Sequence, residues 1–244
     1  FCDQRKISGS ERPATAESVT RAVSEGLARI GENTDTQLAF YGGSFTAIPV
    51  REQEALLGAA LPFLLSKRLR SIRLSTRPDA IDAETLERLR RCGVKTIELG
   101  AQSMDDEVLR RSGRGHTAAQ TEAAARAVKA AGFELILQMM TGLPGDTKDK
   151  AIATAKRLIA LAPDGVRIYP TVIVAGTPLE TLWRRGEYRE HTVDEAVDWC
   201  AAILPLFEAA GIPVIRLGLN PTEELSGGEA VAGAYHPAFG ELVR

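Results

Sequence analysis

A chain of 244 residues, 44% hydrophobic and 25% charged, has the ordinary composition of one globular α/β domain and is long enough to bury a core. Its formal net charge of −2 gives no overall pull toward nucleic acid or an anionic membrane, and no run of about 18 apolar residues is present to cross a bilayer. Three cysteines, Cys2, Cys92 and Cys200, are too few and too scattered for a disulfide framework, which fits a reducing, cytoplasmic compartment.

The chain opens abruptly on Phe1-Cys2-Asp3-Gln4, with no Met and no signal peptide. Val19, Val23, Leu27 and Ile30 then recur at helical spacing. Gln37–Tyr41 reads as a strand closed by Gly42-Gly43, and Pro62 is expected to kink or end the helix that follows. Ser71–Ser75 alternates in polarity as a second strand and stops at Thr76-Arg77-Pro78. Gly93 sits at a helix C-cap before a third strand, Thr96–Gly100. Thr117 with Gln120 has capping-box spacing, Gly132 ends that helix, and Glu134–Met140 is a fourth strand. Val166–Val174 is read as one strand bent at Pro170. Thr192 with Glu195 opens a further helix, which Pro205 should kink or end and Gly211 should cap, before a later strand at Ile212–Leu219. The basic groups Lys67, Arg68, Arg70 and Arg73, then Arg88, Arg90 and Arg91, then Arg184, Arg185 and Arg189, fall mostly on predicted helices, where a solvated face is the expectation.

Strands recurring at the length of a βα unit require parallel pairing, which leaves a doubly wound sheet or a barrel. Glycines and polar residues cluster just past the strands, at Gly42-Gly43-Ser44, Ser75-Thr76-Arg77, Gln102-Ser103 and Thr141–Asp146. In either architecture the strand C-terminal ends share one face, so these loops converge on a single rim where ligand chemistry belongs. Glu98 points away from its neighbours Ile97 and Leu99, toward a barrel interior, either as an ion-pair partner or beside a ligand. His116 is placed in a cap at a helix start, His191 at the surface before a helix, and His236 in a terminal segment over the barrel; no two histidines have metal-pair spacing.

Phe1-Cys2-Asp3-Gln4, Tyr41–Thr46 (YGGSFT), Ser75–Asp79 (STRPD), Glu98–Ser103 (ELGAQS), Ser112–Thr117 (SGRGHT) and Gly142–Gly145 (GLPG) occur in this order. The set resembles radical S-adenosylmethionine (radical SAM) proteins, in the branch of the Elongator catalytic subunit and oxygen-independent coproporphyrinogen oxidase, and most of all short bacterial Elongator-like members without an acetyltransferase domain. The likeness runs the length of the chain. It implies an open, partial TIM-type barrel of parallel βα units over residues 1–244, truncated at its N-terminus within the cluster loop, with 212–244 as a family-specific extension.

The resemblance further implies a 4Fe–4S cluster held by three thiolates of a CxxxCxxC loop, with Cys2 as the last of them and the first two expected upstream of Phe1. SAM would chelate the open iron and be cleaved reductively to a 5′-deoxyadenosyl radical, with electrons from an external flavodoxin- or ferredoxin-type donor. Phe1 would flank SAM; Gly42, Gly43 and Ser44 would present backbone to its ammonium group; Ser75 and Gln138 would face the ribose. Gln102 and Arg114 would meet its polar groups, Arg114 as a bidentate partner of the carboxylate, and Thr171 and Val172 would offer backbone to the adenine. Ser75 and Gln138 depart from acidic residues at these places in relatives, and the change at Gln138 argues against a tetrapyrrole substrate. Cys92 and Cys200 are read as free thiols. The substrate implied is a tRNA base; a tetrapyrrole-like small molecule, a cluster-free SAM- or RNA-binding module and an ordinary acid–base barrel enzyme stand as alternatives, and no membrane partner is expected.

Overall fold

In a computed structural model of the chain, residues 13–30, 34–219 and 229–244 are described. In chain order the elements are α1 (Ala16–Arg29), β1 (Gln37–Phe40), α2 (Val50–Leu65), β2 (Ser71–Thr76), α3 (Ala83–Arg91), β3 (Val94–Gln102), α4 (Asp106–Arg111) and α5 (Ala118–Ala130). They continue with β4 (Glu134–Thr141), α6 (Lys148–Ala160), β5 (Gly165–Pro170), β6 (Val172–Val174), α7 (Pro178–Arg184), α8 (Val193–Ala209), β7 (Val214–Leu217), β8 (Ala230–Gly233) and α9 (Phe239–Val243).

The order β1-β2-β3-β4-β5-β7 forms one sheet in which every pair is parallel. Its edge strands β1 and β7 do not pair with each other, so the sheet is a half-barrel, as the open α/β barrel reading requires. Period-2 alternation sorts its two faces. Ile72 and Leu74, Ile97, Leu99 and Ala101, Leu135, Leu137 and Met139, and Val166 and Ile168 are all 0% exposed and build the core against the helices. The intervening residues Arg73, Ser75, Glu98, Gln138 and Arg167 meet one another on the opposite, concave face.

Local signals set the element ends. Thr117 with Gln120 and Thr192 with Glu195 form reciprocal capping boxes, and Gly93, Gly132 and Gly211 take φ of 79°, 82° and 68° beyond their helices.

Pro62 and Pro205 lie inside α2 and α8, so of the two outcomes expected of them, ending the helix is not the one seen. The carbonyls their missing N–H groups would have met belong to Gly58 and Ala201, both exposed, so water can take the place of the lost bond. Val166–Val174 is two strands, not one: after Pro170 the chain leaves the main sheet, and β6 pairs antiparallel with β8 in a separate two-stranded sheet. Among the described residues no helix is long and apolar enough to cross a membrane.

Leu137 lies at the centre of this core, so Leu137→Ala is expected to lower the unfolding free energy by about 2–5 kcal/mol with an unchanged urea slope. A loss below about 1 kcal/mol by urea titration would mean the helix layer is not packed on this face.

Candidate functional site

The concave face is organised by Glu98, whose side chain is 0% exposed. Tyr41 Oη donates to its Oε1 at 2.6 Å and Arg73 Nη1 to the same oxygen at 3.0 Å. Arg167 Nε and Gln138 Nε2 donate to Oε2 at 2.9 and 3.0 Å. Burial pushes the carboxyl toward protonation, but the Tyr41, Arg167 and Gln138 hydrogen bonds outweigh it and hold the pKa below the ordinary glutamate value. Burial and the neighbouring Glu98 push the Tyr41 phenol up to about 12, which keeps it a donor at neutral pH. Of the two roles open for Glu98, the ion pair is the one seen.

Four residues along β3 from Glu98, the strand ends on Gln102 in a left-handed conformation, φ 64°, uncommon for a residue with a Cβ. Its carboxamide Oε1 is buried and meets no hydrogen-bond donor. Gly100 makes room beside it: a Cβ there would lie 2.9 Å from Gln102 Nε2 and 3.3 Å from Arg114 Nη2. Arg114 Nη2 reaches back to the Gly100 carbonyl at 3.4 Å. Gln102, Arg114, Met140, Leu143, Thr171 and Val172 line a narrow cleft of about 30 Å³ at the C-terminal rim of the sheet.

The loop after β4 is locked from both sides. Asp146 accepts from the Gly142 and Thr147 N–H groups at 3.0 and 2.9 Å, and Tyr188 Oη donates to the Gly142 carbonyl at 2.6 Å. Gly142 has φ 75°, and a Cβ there would collide with the His191 ring. That ring is buried against Trp199, 4.5 Å between centroids, with Nε2 3.3 Å from Thr141 Oγ1.

The structure thus gathers Gln102, Arg114 and Val172 in one cleft, and Ser75 with Gln138 in the interior, joined at 3.4 Å. Gly42 (φ 92°), Gly43 and Ser44 follow β1 at the same rim. Phe1 and Cys2 lie outside the described residues. Among the described residues no cluster of three His, Cys, Asp or Glu side chains could hold a metal ion.

His191 is buried rather than at the surface, because Trp199 and the bare Gly142 offer it a slot. His116 does not cap: Thr117 is the N-cap of α5, and the buried His116 ring sits 3.1 Å from the Ala101 carbonyl of β3. His236 Nδ1 accepts from the Ala238 N–H at 3.1 Å within its own turn, while Phe239 inserts against Gly218. Cys92 ends α3 half-buried, and Cys200 is fully buried in α8. Tyr41, Arg73, Arg167 and Tyr188 have no assigned role in the sequence; Arg73 and Arg167 occupy alternate positions of their strands, and that spacing is the available signal.

The sequence pattern of the Radical SAM superfamily matches residues 1–158, and that of the Radical_SAM C-terminal domain matches residues 163–244. The chain belongs to the radical SAM superfamily. Relatives include the tRNA uridine(34) acetyltransferase of Methanocaldococcus infernus, 28% identical over 76% of this chain and 39% of that protein. Human Elongator complex protein 3 is 29% identical over 77% of this chain and 38% of its own length. The chain therefore spans about two-fifths of the length of these relatives. Among solved structures, the archaeal Methanocaldococcus infernus Elp3 with an N-terminal deletion superposes with a TM-score of 0.76 at 25% identity, covering 92% of this chain and 56% of that one. Coproporphyrinogen III oxidase of Escherichia coli shares the fold, with a TM-score of 0.61 at 18% identity over 86% of this chain and 48% of its own.

Two outcomes are expected of this radical SAM core. Glu98→Ala strands Arg73 and Arg167 without a counter-charge and should cost about 3–5 kcal/mol in urea unfolding at pH 7. Because the folded pKa is depressed, Glu98's share of stability is present above the unfolded carboxylate range and is lost as pH falls through the folded value, so the gap between wild type and variant should narrow in acid. A gap that widens instead would contradict the ion-pair assignment.

Burial lowers the His191 pKa to about 4, so between the ordinary imidazole value and pH 4 the unfolded chain binds more protons and stability is lost as pH drops, by roughly 3 kcal/mol in total. Asp146, raised by burial to about 6, runs the opposite way in an overlapping window. The difference between wild type and His191→Phe, measured by urea unfolding from pH 7 to pH 4, isolates the imidazole. A difference that does not change with pH would leave His191 solvated.

Proposed function

We propose that this chain is the SAM-binding core of a radical SAM enzyme that reductively cleaves S-adenosylmethionine at a 4Fe–4S cluster and acts on a tRNA base. The observation that carries the SAM site is the orphaned Gln102 Oε1, buried beside the Arg114 guanidinium in a rim cleft. A buried acceptor without a donor is costly unless a ligand supplies one, and the methionyl end of SAM bears an ammonium group and a carboxylate within one small unit.

Arg114 gives its planar donors to the carboxylate and Gln102 Oε1 accepts from the ammonium. Met140, Leu143 and Leu179 supply apolar wall, and the backbone at Thr171 and Val172 faces the adenine. Ser75 and Gln138 take the ribose, their positions fixed through the Gln138 bond to Glu98. The glycines at 42 and 43 leave the backbone bare beside Ser44; a Cβ on Gly43 would meet nothing within 4 Å, which is room for a ligand. Cys2 would hold the cluster and Phe1 would pack beside it. Together the cluster and SAM supply one-electron cleavage of a sulfonium C–S bond. The tRNA base is supported by the relatives named for tRNA uridine modification and Elongator.

The test uses the protein carrying this chain, reconstituted anaerobically with iron and sulfide. Reductant should drive formation of 5′-deoxyadenosine from SAM, and Arg114→Ala should weaken SAM binding about ten- to a hundredfold, the loss of one charge-assisted pair. A folded, cluster-loaded protein that forms no 5′-deoxyadenosine would overturn the reading. Undiminished SAM affinity in Arg114→Ala would relocate the carboxylate site.

A further inference from the structure

The sequence places Arg88 with Arg90 and Arg91 on a solvated helical face, but the structure buries it to 6% exposure. Its Nη2 donates to two neutral acceptors, Gln53 Oε1 and Thr85 Oγ1, each at 3.2 Å. Its Nε is buried with no acceptor. Among the described residues Arg88 forms no ion pair, whereas Arg73 and Arg167, the part-buried arginines of the concave face, share Glu98. An arginine keeps its proton when buried, and with only the nearby Asp82 charge to offset it and no ion pair among the described residues, this guanidinium is costly unless an anion reaches it.

Arg88 lines a cleft of about 440 Å³, far above the roughly 10–15 Å³ that one water needs on the same measure. The cleft is also lined by Pro49-Val50, the start of the 16-residue helix α2, which no side chain caps and whose first turn carries Glu52. Gln53 fixes the wall by donating to the Thr46 and Ile48 carbonyls at 3.1 and 2.8 Å, and in turn holds Arg88. A helix start with uncapped N–H groups carries partial positive charge, so two independent positive features face one space. Two carboxylates also border it. Asp82 is committed to the Thr85 N–H at 2.7 Å as the cap of α3, and Glu84 is exposed at the lip. The cleft lies beside the C-terminal rim: Thr46 bonds Thr76, the last residue of β2, at 2.6 Å.

We propose that this cleft is a second, anion-binding site that takes a phosphate group, with the Arg88 guanidinium and the start of α2 as its donors. The phosphate is either that of a free phosphorylated small molecule or a backbone phosphate of a polynucleotide. It does not depend on the SAM reading, since no residue of the SAM cleft takes part.

Calorimetric titration of the full chain with inorganic phosphate, at constant ionic strength set with chloride, tests it. Saturable binding at one site is expected, weakened at least tenfold in Arg88→Met and tightened about threefold in Glu84→Gln, which removes the lip charge without touching a buried group. Should Arg88→Met fail to fold, Glu84→Gln decides alone. Competition by a short single-stranded RNA assigns the site to a polynucleotide backbone, and competition by a nucleoside monophosphate alone assigns it to a free phosphate ester. No saturable phosphate binding, or binding that neither substitution moves, overturns the proposal.

Discussion

Five neighbouring strands of the open sheet are tied together at one carboxylate. Glu98 sits on β3 and receives hydrogen bonds from Tyr41 just past β1, Arg73 of β2, Gln138 of β4 and Arg167 of β5. A closed barrel fills its interior with layers of apolar side chains, which fix strand tilt by packing alone. Here the ring is open between β1 and β7, and a polar network takes the place of those layers. A carboxylate has about four acceptor positions, and all are taken, since Arg167 gives two hydrogen bonds and Tyr41, Arg73 and Gln138 one each, which favours one arrangement of the strands over many. The attraction need not add much net stability, because burying the charges costs nearly as much as their pairing returns. Its effect is on geometry: it sets how the concave face curls.

That geometry carries forward to the rim. From Glu98 to Gln102 is four residues, roughly 13 Å at the rise of an extended strand. Gly100 lies between them and is bare because Gln102 and Arg114 fold back over it. On β4 the same march runs from Gln138 in the network to Met140 in the cleft. Interior and mouth are thus successive positions on the same two strands, so any shift in the Glu98 network is transmitted to the cleft by covalent backbone rather than through loose contacts.

Much of this was legible in the sequence. Alternating runs placed the six strands of the main sheet to within a few residues but not β8, and capping boxes and left-handed glycines placed helix ends, since these depend on near neighbours. Convergence of the strand-end loops followed from parallel pairing alone. What was not legible depends on residues distant in the chain. Glu98 and Arg167 are 69 residues apart, and nothing local says that one neutralises the other. His191 reads as a polar residue before a helix, yet the slot that buries it is made by Gly142 and Trp199. Pro62 and Pro205 do not end their helices, because Gly58 and Ala201, whose carbonyls lose a partner, are exposed to water. Gln102 in a left-handed turn has no sequence signal, and it is at the cleft that local rules fail.

The two parts of the site also differ in how they answer to protons. In the interior, Glu98 is held below the ordinary carboxylate range, Tyr41 is pushed to about 12, and Arg167 is raised by the Glu98 hydrogen bonds despite its burial. Each group therefore keeps its charge state across the physiological range, and the frame is rigid to pH. The loop that forms the cleft wall is different, since burial moves Asp146 up to about 6 and His191 down to about 4. Both shifts oppose charging in the same enclosed place, so the loop is held by neutral or singly charged partners. Acidification neutralises Asp146 first, the acceptor of the Gly142 and Thr147 N–H groups, and then charges the His191 ring under Gly142. The half-barrel thus keeps its frame in the network and confines pH sensitivity to the segment that borders the ligand.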